Sequence, residues 1–225
     1  MEKKLFELLN IHKGITAIIG GGGKTTLMLT LAKELAEFST VIITTSTKIL
    51  KPEDCETLLN TSKEEIQTSL EKSKMLCVAA VHDTGKLMAP NMSFEELSRL
   101  ADYVLVEADG SRQLPLKAHA SFEPVIPEES KHIIYVIGID GLGKQVEEAC
   151  HRPELFAELA ECEVNATVTC ELAAKVIKRE ALADCYYINK VSSARDWQNA
   201  KELAHLLNKH VYAGDLWKGE YKCLF

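Results

Sequence analysis

Short apolar runs alternate along the chain with amphipathic stretches. Ile15–Gly20, Val41–Thr44, Met75–Val81, Tyr103–Ala108, His132–Gly138, Cys185–Asn189 and Lys209–Ala213 read as strands, most of them apolar with little alternation, which predicts cover on both faces. Leu27, Leu31 and Leu35, with Met28 and Ala32, recur at four-residue spacing and predict a helix from Lys24 to about Phe38. Further helices are expected over Lys63–Glu71, Pro153–Ala160, Thr169–Glu180 and Ala194–Asn208, and a short one after Ser93, with Glu96 as its capping-box partner. His82–Met92, through Asp83-Thr84-Gly85-Lys86, reads as a turn or hairpin, and the start, Met1–Gly14, as a short amphipathic helix. The polar stretch 52–74 offers only its helix, and 111–130 reads as a long loop, of the kind that is usually functional. Strands alternating with helices predict an α/β fold: a mainly parallel sheet sandwiched between helices, in three layers. One domain over 1–225 is expected, with the helical stretch near 145–183 as a subdomain.

One stretch of this pattern is distinctive. The expected strand Ile15–Gly20 runs through Gly20, Gly21, Gly22 and Gly23 into a helix that opens on Lys24-Thr25-Thr26. Glycines let a backbone turn sharply and approach a ligand closely. The N–H groups of the loop and first helical turn are expected to converge at the positive end of the helix dipole, where an anion is favoured. Lys24 adds a full charge where β- and γ-phosphates would lie, and the Thr25 hydroxyl is placed to hold Mg²⁺. The longer phosphate-loop pattern needs a glycine where Ile18 stands. What fits is G-x-x-G-K-T, Gly20 to Thr25, which resembles the loop of the Mur ligases and implies a P-loop NTPase-like fold.

Other candidates collect where ligands bind in such sheets, outside the carboxyl ends of the strands. Tyr103-Val-Leu-Val-Glu-Ala-Asp109 reads as a Walker B strand: an apolar run that delivers a carboxylate to a magnesium ion and its waters. Glu107 and Asp109 are both candidates, for the metal or for orienting the attacking group, and period two would set them on one face. Thr44, Thr45, Ser46, Thr47 and Lys48 put four hydroxyls and an ammonium at the carboxyl end of the expected strand Val41–Thr44. They could position water or hold a second anionic substrate, or serve as ordinary turn residues. Arg112, Lys117 and Glu123 in the long loop are candidates for the same substrate, solvated loop charge being the alternative. Tyr187-Ile-Asn-Lys-Val-Ser-Ser193 resembles the Asn-Lys-x-Asp element that reads guanine in GTPases. Asn189 and Lys190 are in place, but Ser192 stands where the aspartate belongs, so the choice between ATP and GTP stays open.

Composition narrows the classes. The net charge of −7 comes with no basic stripe, which argues against a nucleic-acid partner. No run reaches the ~18 apolar residues of a membrane span, and the N-terminus has no cleavable leader pattern. Seven cysteines without a C-x-x-C fit a reducing cytoplasm. Cys150-His151 with Cys162 and Cys170 matches no zinc spacing, and no histidine is assigned to a metal. Oligomeric state is not set by any of these features.

The runs Gly20–Thr26, Glu107-Ala-Asp-Gly-Ser-Arg-Gln-Leu-Pro-Leu-Lys117 through Glu123-Pro-Val-Ile-Pro127, and Gly138-Ile-Asp-Gly-Leu-Gly143 together resemble the YqeC family, the selenium-dependent hydroxylase accessory proteins. The resemblance spans most of the chain. It departs at His119 and Phe122, where the family usually has proline and histidine, and at Ser192, where it has aspartate. It implies a P-loop NTPase that helps make or insert the selenium-bearing molybdenum cofactor. Its partners would be a nucleotide, and a molybdenum-cofactor intermediate or the hydroxylase apoprotein. The residues by themselves point to Mg²⁺-nucleotide binding with hydrolysis, to an ATP-dependent ligase or kinase acting on a small anionic substrate, or to a nucleotide-gated binding module without turnover.

Overall fold

The computed structural model describes residues 3–82 and 85–225. The chain divides into two compact units, one of Met1–Ile18, Thr25–Gly110 and Val125–His132, the other of Ile19–Lys24, Ser111–Pro124 and Ile133–Phe225.

The first unit is built on parallel strands. Tyr103–Glu107 pairs on one side with Gly14–Gly20, setting Ile18 opposite Glu107, and on the other with Val41–Thr45, setting Thr45 opposite Glu107. Val41–Thr45 pairs in turn with Met75–Val81. The central strands are buried throughout, as their unbroken apolar runs require. Ile15, Ile42, Leu76, Val78, Val104 and Val106 pack with Ile66 and Leu70 of the helix Lys63–Lys72 and Leu97 of the helix Phe94–Leu100. Both helices start at serines whose side chains cap them. The expected box at Ser93 is present: Glu96 N donates to Ser93 Oγ at 3.2 Å, and Ser93 N to Glu96 Oε2 at 3.0 Å.

The expected hairpin also forms, with Val81 opposite Leu87 and Ala80 opposite Met88. Asp83 and Thr84, expected in its turn, and Met1 and Glu2, of the expected first helix, lie outside the described residues. The stretch 52–74 holds more than the expected helix. Glu56–Leu59 is a strand parallel to Met75–Val81, half-exposed and too short to show a period.

The second unit carries its own strands. Ser130–Gly138 pairs in parallel with Cys185–Asn189, Gly138 opposite Asn189, and Cys185–Asn189 pairs in parallel with Val211–Asp215. The chain does not end its pairing there, as the sequence pattern suggested. Glu220–Cys223 turns back antiparallel along Val211–Asp215. The helices Pro153–Ala160, Cys170–Glu180 and Ala194–Leu207 pack successively on one another. Within the expected long loop, Leu116–Lys117 pairs with Cys150–His151, so part of 111–130 is fixed by a two-residue ribbon that no sequence period could show. The expected α/β class, with mainly parallel strands, holds in both units. Among the described residues no helix is long and apolar enough to cross a membrane.

Candidate nucleotide-binding site

The glycine loop Gly20–Gly23 and Lys24 belong to the second unit. Gly20, Gly22 and Gly23 have φ of +95°, +78° and +123°, where side chains with a Cβ are strained. Space is as restrictive as conformation. A Cβ on Gly22 would lie 2.3 Å from Gly138 N, one on Gly20 2.4 Å from Val136 O, and one on Gly21 2.7 Å from Leu114 O. The loop is therefore pressed against the backbone of its neighbours.

One expectation changes here. Gly21 N donates to Val136 O and Gly22 N to Leu114 O, both at 3.0 Å, so these two amides do not converge on a common ligand position. Close packing sets them against neighbouring carbonyls instead. Lys24 opens the helix Lys24–Ala36. It is 3% exposed, and its Nζ donates to Gly20 O at 2.8 Å, so the ammonium is folded back into the loop. In that helix Thr26 is engaged through its carbonyl, which accepts from Thr30 Oγ1 at 2.9 Å.

Asn189 ends its strand buried. Its Nδ2 donates to Gly22 O at 2.8 Å, and its Oδ1 accepts from Leu216 N at 3.4 Å. One carboxamide thus ties the glycine loop to the turn after Val211–Asp215. Lys190 follows at a left-handed φ of +65° and pairs with Asp140 at 2.8 Å. Ser192 N donates at 3.2 Å to Asp196 Oδ2, which also accepts from Ser193 N at 2.8 Å. The carboxylate that reaches Ser192 is therefore occupied in capping the helix Ala194–Leu207.

In the first unit, strand register sets Glu107 level with Ile18 and Thr45. Thr25 Oγ1 donates to Glu107 Oε2 at 2.7 Å, and Thr45 Oγ1 to the Glu107 carbonyl at 2.8 Å. The strand stops at Glu107, so the alternation that would place Asp109 on the same face ends before it. Ala108 N donates to Ile18 O at 3.0 Å, and Asp109 is fully buried. The hydroxyls at 44–46 are committed to main chain: Thr44 Oγ1 to Val78 O at 2.7 Å, Thr45 as above, and Ser46 Oγ to Val125 O at 2.5 Å. Thr47 N donates to Thr45 Oγ1 at 3.0 Å, and Lys48 is exposed.

Of the long-loop candidates, Lys117 and Glu123 meet each other. Lys117 Nζ, with its side chain fully buried, donates to Glu123 Oε2 at 2.8 Å, while Arg152 Nε donates to Glu123 Oε1 at 2.5 Å. Arg112 is exposed, at a left-handed φ of +51°. Arg152 was not singled out by the sequence. Its only signal is its place next to Pro153 at the start of a helix, and its partner lies 29 residues away. Burial raises the Glu123 carboxyl pKa, but hydrogen bonds from Arg152 and Lys117 outweigh burial and hold it below the ordinary 4.5.

A carboxyl depressed in the folded state stabilises the fold above its unfolded pKa and loses that contribution as pH falls through the folded one. Stability carried by this trio should therefore decline as pH drops below about 4.5. Glu123→Gln leaves Lys117 buried beside a neutral partner and should cost about 2 kcal/mol at neutral pH. That is a fall of about 5 °C in Tm for a chain of this size, with a shallower acid limb. Matched melts of mutant and wild type from neutral to acid pH test this, and parallel acid limbs would count against it.

Burial pushes Cys77, Cys150, Cys170 and Cys185 up to about 12, far from the thiolate range a nucleophile needs at neutral pH. No group of three or more metal-ligating side chains occurs among the described residues.

A family model described as YqeC protein matches residues 16–154, a span that takes in the glycine loop, Glu107, Asp109 and the Lys117–Glu123–Arg152 trio. The chain belongs to the YqeC family. It is 28% identical to the uncharacterized protein YqeC of Escherichia coli strain K12, over 90% of this chain and 87% of that one. Among solved structures it is similar to the 54 kDa signal recognition particle protein of Aeropyrum pernix K1 in complex with GDP, at 14% identity and a TM-score of 0.42. That likeness covers 95% of this chain and 44% of the archaeal one, so the chain spans less than half the length of that protein. The matched span takes in all three motif runs and His119 and Phe122, whereas Ser192 lies beyond it. His119 here is a packed residue: its Nδ1 lies 2.9 Å from Glu180 Oε2, and its ring stands edge-on to Tyr135.

Proposed function

We propose that this YqeC-family protein binds a magnesium nucleotide, ATP or GTP, at Gly20–Thr26 and hydrolyses it in the maturation of a selenium-dependent molybdenum hydroxylase. The observation that carries the nucleotide reading is the Lys24 ammonium, buried and folded onto Gly20 O at 2.8 Å, with Thr25 next in sequence bonded to Glu107 at 2.7 Å. With Gly21 and Gly22 amides turned to neighbouring carbonyls, Lys24 and the opening turn of its helix supply the attraction for phosphate. Thr25 and Glu107 form a hard-oxygen donor set of the kind magnesium takes. When bound, the ion would neutralise charge on β- and γ-phosphate oxygens. Glu107 holds the Thr25 hydroxyl in place for it, and Asp109 is the second carboxylate of the site.

Hydrolysis is favoured over ligation or phosphoryl transfer by the use made of the expected substrate groups. The hydroxyls of Thr44, Thr45 and Ser46 are bonded to carbonyls, and Lys117 and Glu123 to one another. Phosphate release without a second substrate is the product expected; a phosphorylated or ligated small molecule would instead establish the kinase or ligase. A reducing cytoplasm is the compartment proposed.

Thermal melts with ATP and GTP, with and without Mg²⁺, test the nucleotide reading. A ligand at 100 times its Kd stabilises by about 2.7 kcal/mol, which is a rise of roughly 5–10 °C here. The rise should shrink when Mg²⁺ is chelated. No rise with either nucleotide at millimolar concentration would overturn the proposal.

A further inference from the structure

We propose that Trp217 is the stacking platform for the base of the nucleotide, a subsite that rests on the nucleotide reading above. Trp217 is 84% exposed, an unusual setting for the largest apolar side chain. It sits on the turn after the carboxyl end of the parallel strand Val211–Asp215, the side on which open α/β sheets bind ligands. The turn is well held. Trp217 N donates to Asp215 Oδ1 at 3.0 Å and Lys218 N to Asp215 O at 3.2 Å. Leu216 N donates to Asn189 Oδ1, and the same carboxamide donates to Gly22 O. Two hydrogen bonds through one side chain therefore connect the glycine loop to the residue beside this indole.

The surroundings favour holding a base by its face. Reading a base edge needs a carboxylate or amide free to turn toward it, whereas Asp196 is held at the helix start by the N–H groups of Ser192 and Ser193 on its Oδ2. The Asn189 amide is held in place by one bond to Gly22 O and one from Leu216 N. An indole face accepts any purine, because every base presents a π-surface. Adenine and guanine nucleotides should thus bind with similar strength.

The chain has two tryptophans. The other, Trp197, lies under the Lys222 ammonium at 4.1 Å, so Trp197→Phe leaves Trp217 as the sole indole reporter. In that variant Mg-ATP and Mg-GTP should quench emission with the midpoint found by calorimetry, while magnesium tripolyphosphate binds without quenching. Trp217→Ala should weaken both nucleotides about tenfold, the loss typical of one base–aromatic stack, and leave tripolyphosphate affinity unchanged; Trp217→Phe should recover most of it. Nucleotide binding with unquenched emission and an unaltered Trp217→Ala affinity overturns the subsite alone. Absence of any ATP or GTP binding in calorimetry overturns the nucleotide reading and the subsite with it.

Discussion

Lys24→Ala is expected to abolish detectable binding of Mg-ATP and Mg-GTP while leaving the fold in place. Lys24 is 3% exposed, and its ammonium donates to Gly20 O. A nucleotide would exchange that neutral acceptor for oxyanions. The helix terminus alone offers roughly half a unit of charge, and Gly21 and Gly22 have turned their amides to Val136 and Leu114. A full charge about 4 Å from a phosphate oxygen, at the effective dielectric near a protein surface, contributes about 4 kcal/mol, or roughly a thousandfold in affinity. The fold should survive because the bond to Gly20 O joins residues only four apart at a helix start. The strand Gly14–Gly20 and the buried Leu27, Leu31 and Leu35 are untouched. Calorimetry with each nucleotide, beside circular dichroism and a melt of the same sample, decides it. Unchanged affinity in a folded mutant would remove the central claim.

What could be read from the sequence follows from the range of the interactions. Buried parallel strands announce themselves as unbroken apolar runs, and Val41–Thr45, Met75–Val81 and Cys185–Asn189 appear where those runs lie. The capping box at Ser93 and Glu96 is local and was visible three residues apart. The glycine loop could be recognised, but the direction of its amides could not, because Val136 and Leu114 lie more than 90 positions away along the chain. The same holds for Arg152 with Glu123, and for Asn189 with Gly22 across 167 positions. The hydroxyls at 44–46 carried no mark of whether they would meet a substrate or a carbonyl; the carbonyls of Val78, Glu107 and Val125, distant in sequence, decided it. Asp215-Leu-Trp-Lys-Gly219 did contain a turn signal in Gly219, whose φ is +68°. Given weight, it would have shown the C-terminal hairpin and Trp217 at its tip.

The second large effect is expected from Glu107→Gln, which should lower turnover on the order of 10²-fold, as for loss of one preorganised electrostatic contact, while nucleotide affinity changes far less. In phosphoryl transfer the protein chiefly positions groups and stabilises charge that develops in the transition state. Lys24 and the helix start act on the ground-state phosphates. Glu107 differs in being bonded to the Thr25 hydroxyl, the group proposed to meet magnesium. Gln keeps an acceptor for that hydroxyl, so Thr25 stays in position and the strand register with Ile18 and Thr45 is preserved. What is removed is the negative charge that would fix the ion. Asp109→Asn is the matched comparison. It lies beyond the strand end and is fully buried, and as the second carboxylate proposed for the metal it should also slow turnover. Single-turnover phosphate release, measured at saturating nucleotide with graded Mg²⁺, separates the two. The Glu107 variant should need more magnesium to reach its reduced rate, and Thr25→Ala should share that demand. A full loss at Asp109→Asn beside a near-normal Glu107→Gln would transfer the metal role to Asp109. Normal turnover in both variants would mean that Tyr103–Glu107 is not a metal-bearing strand, and the hydrolytic reading would then rest on the glycine loop alone.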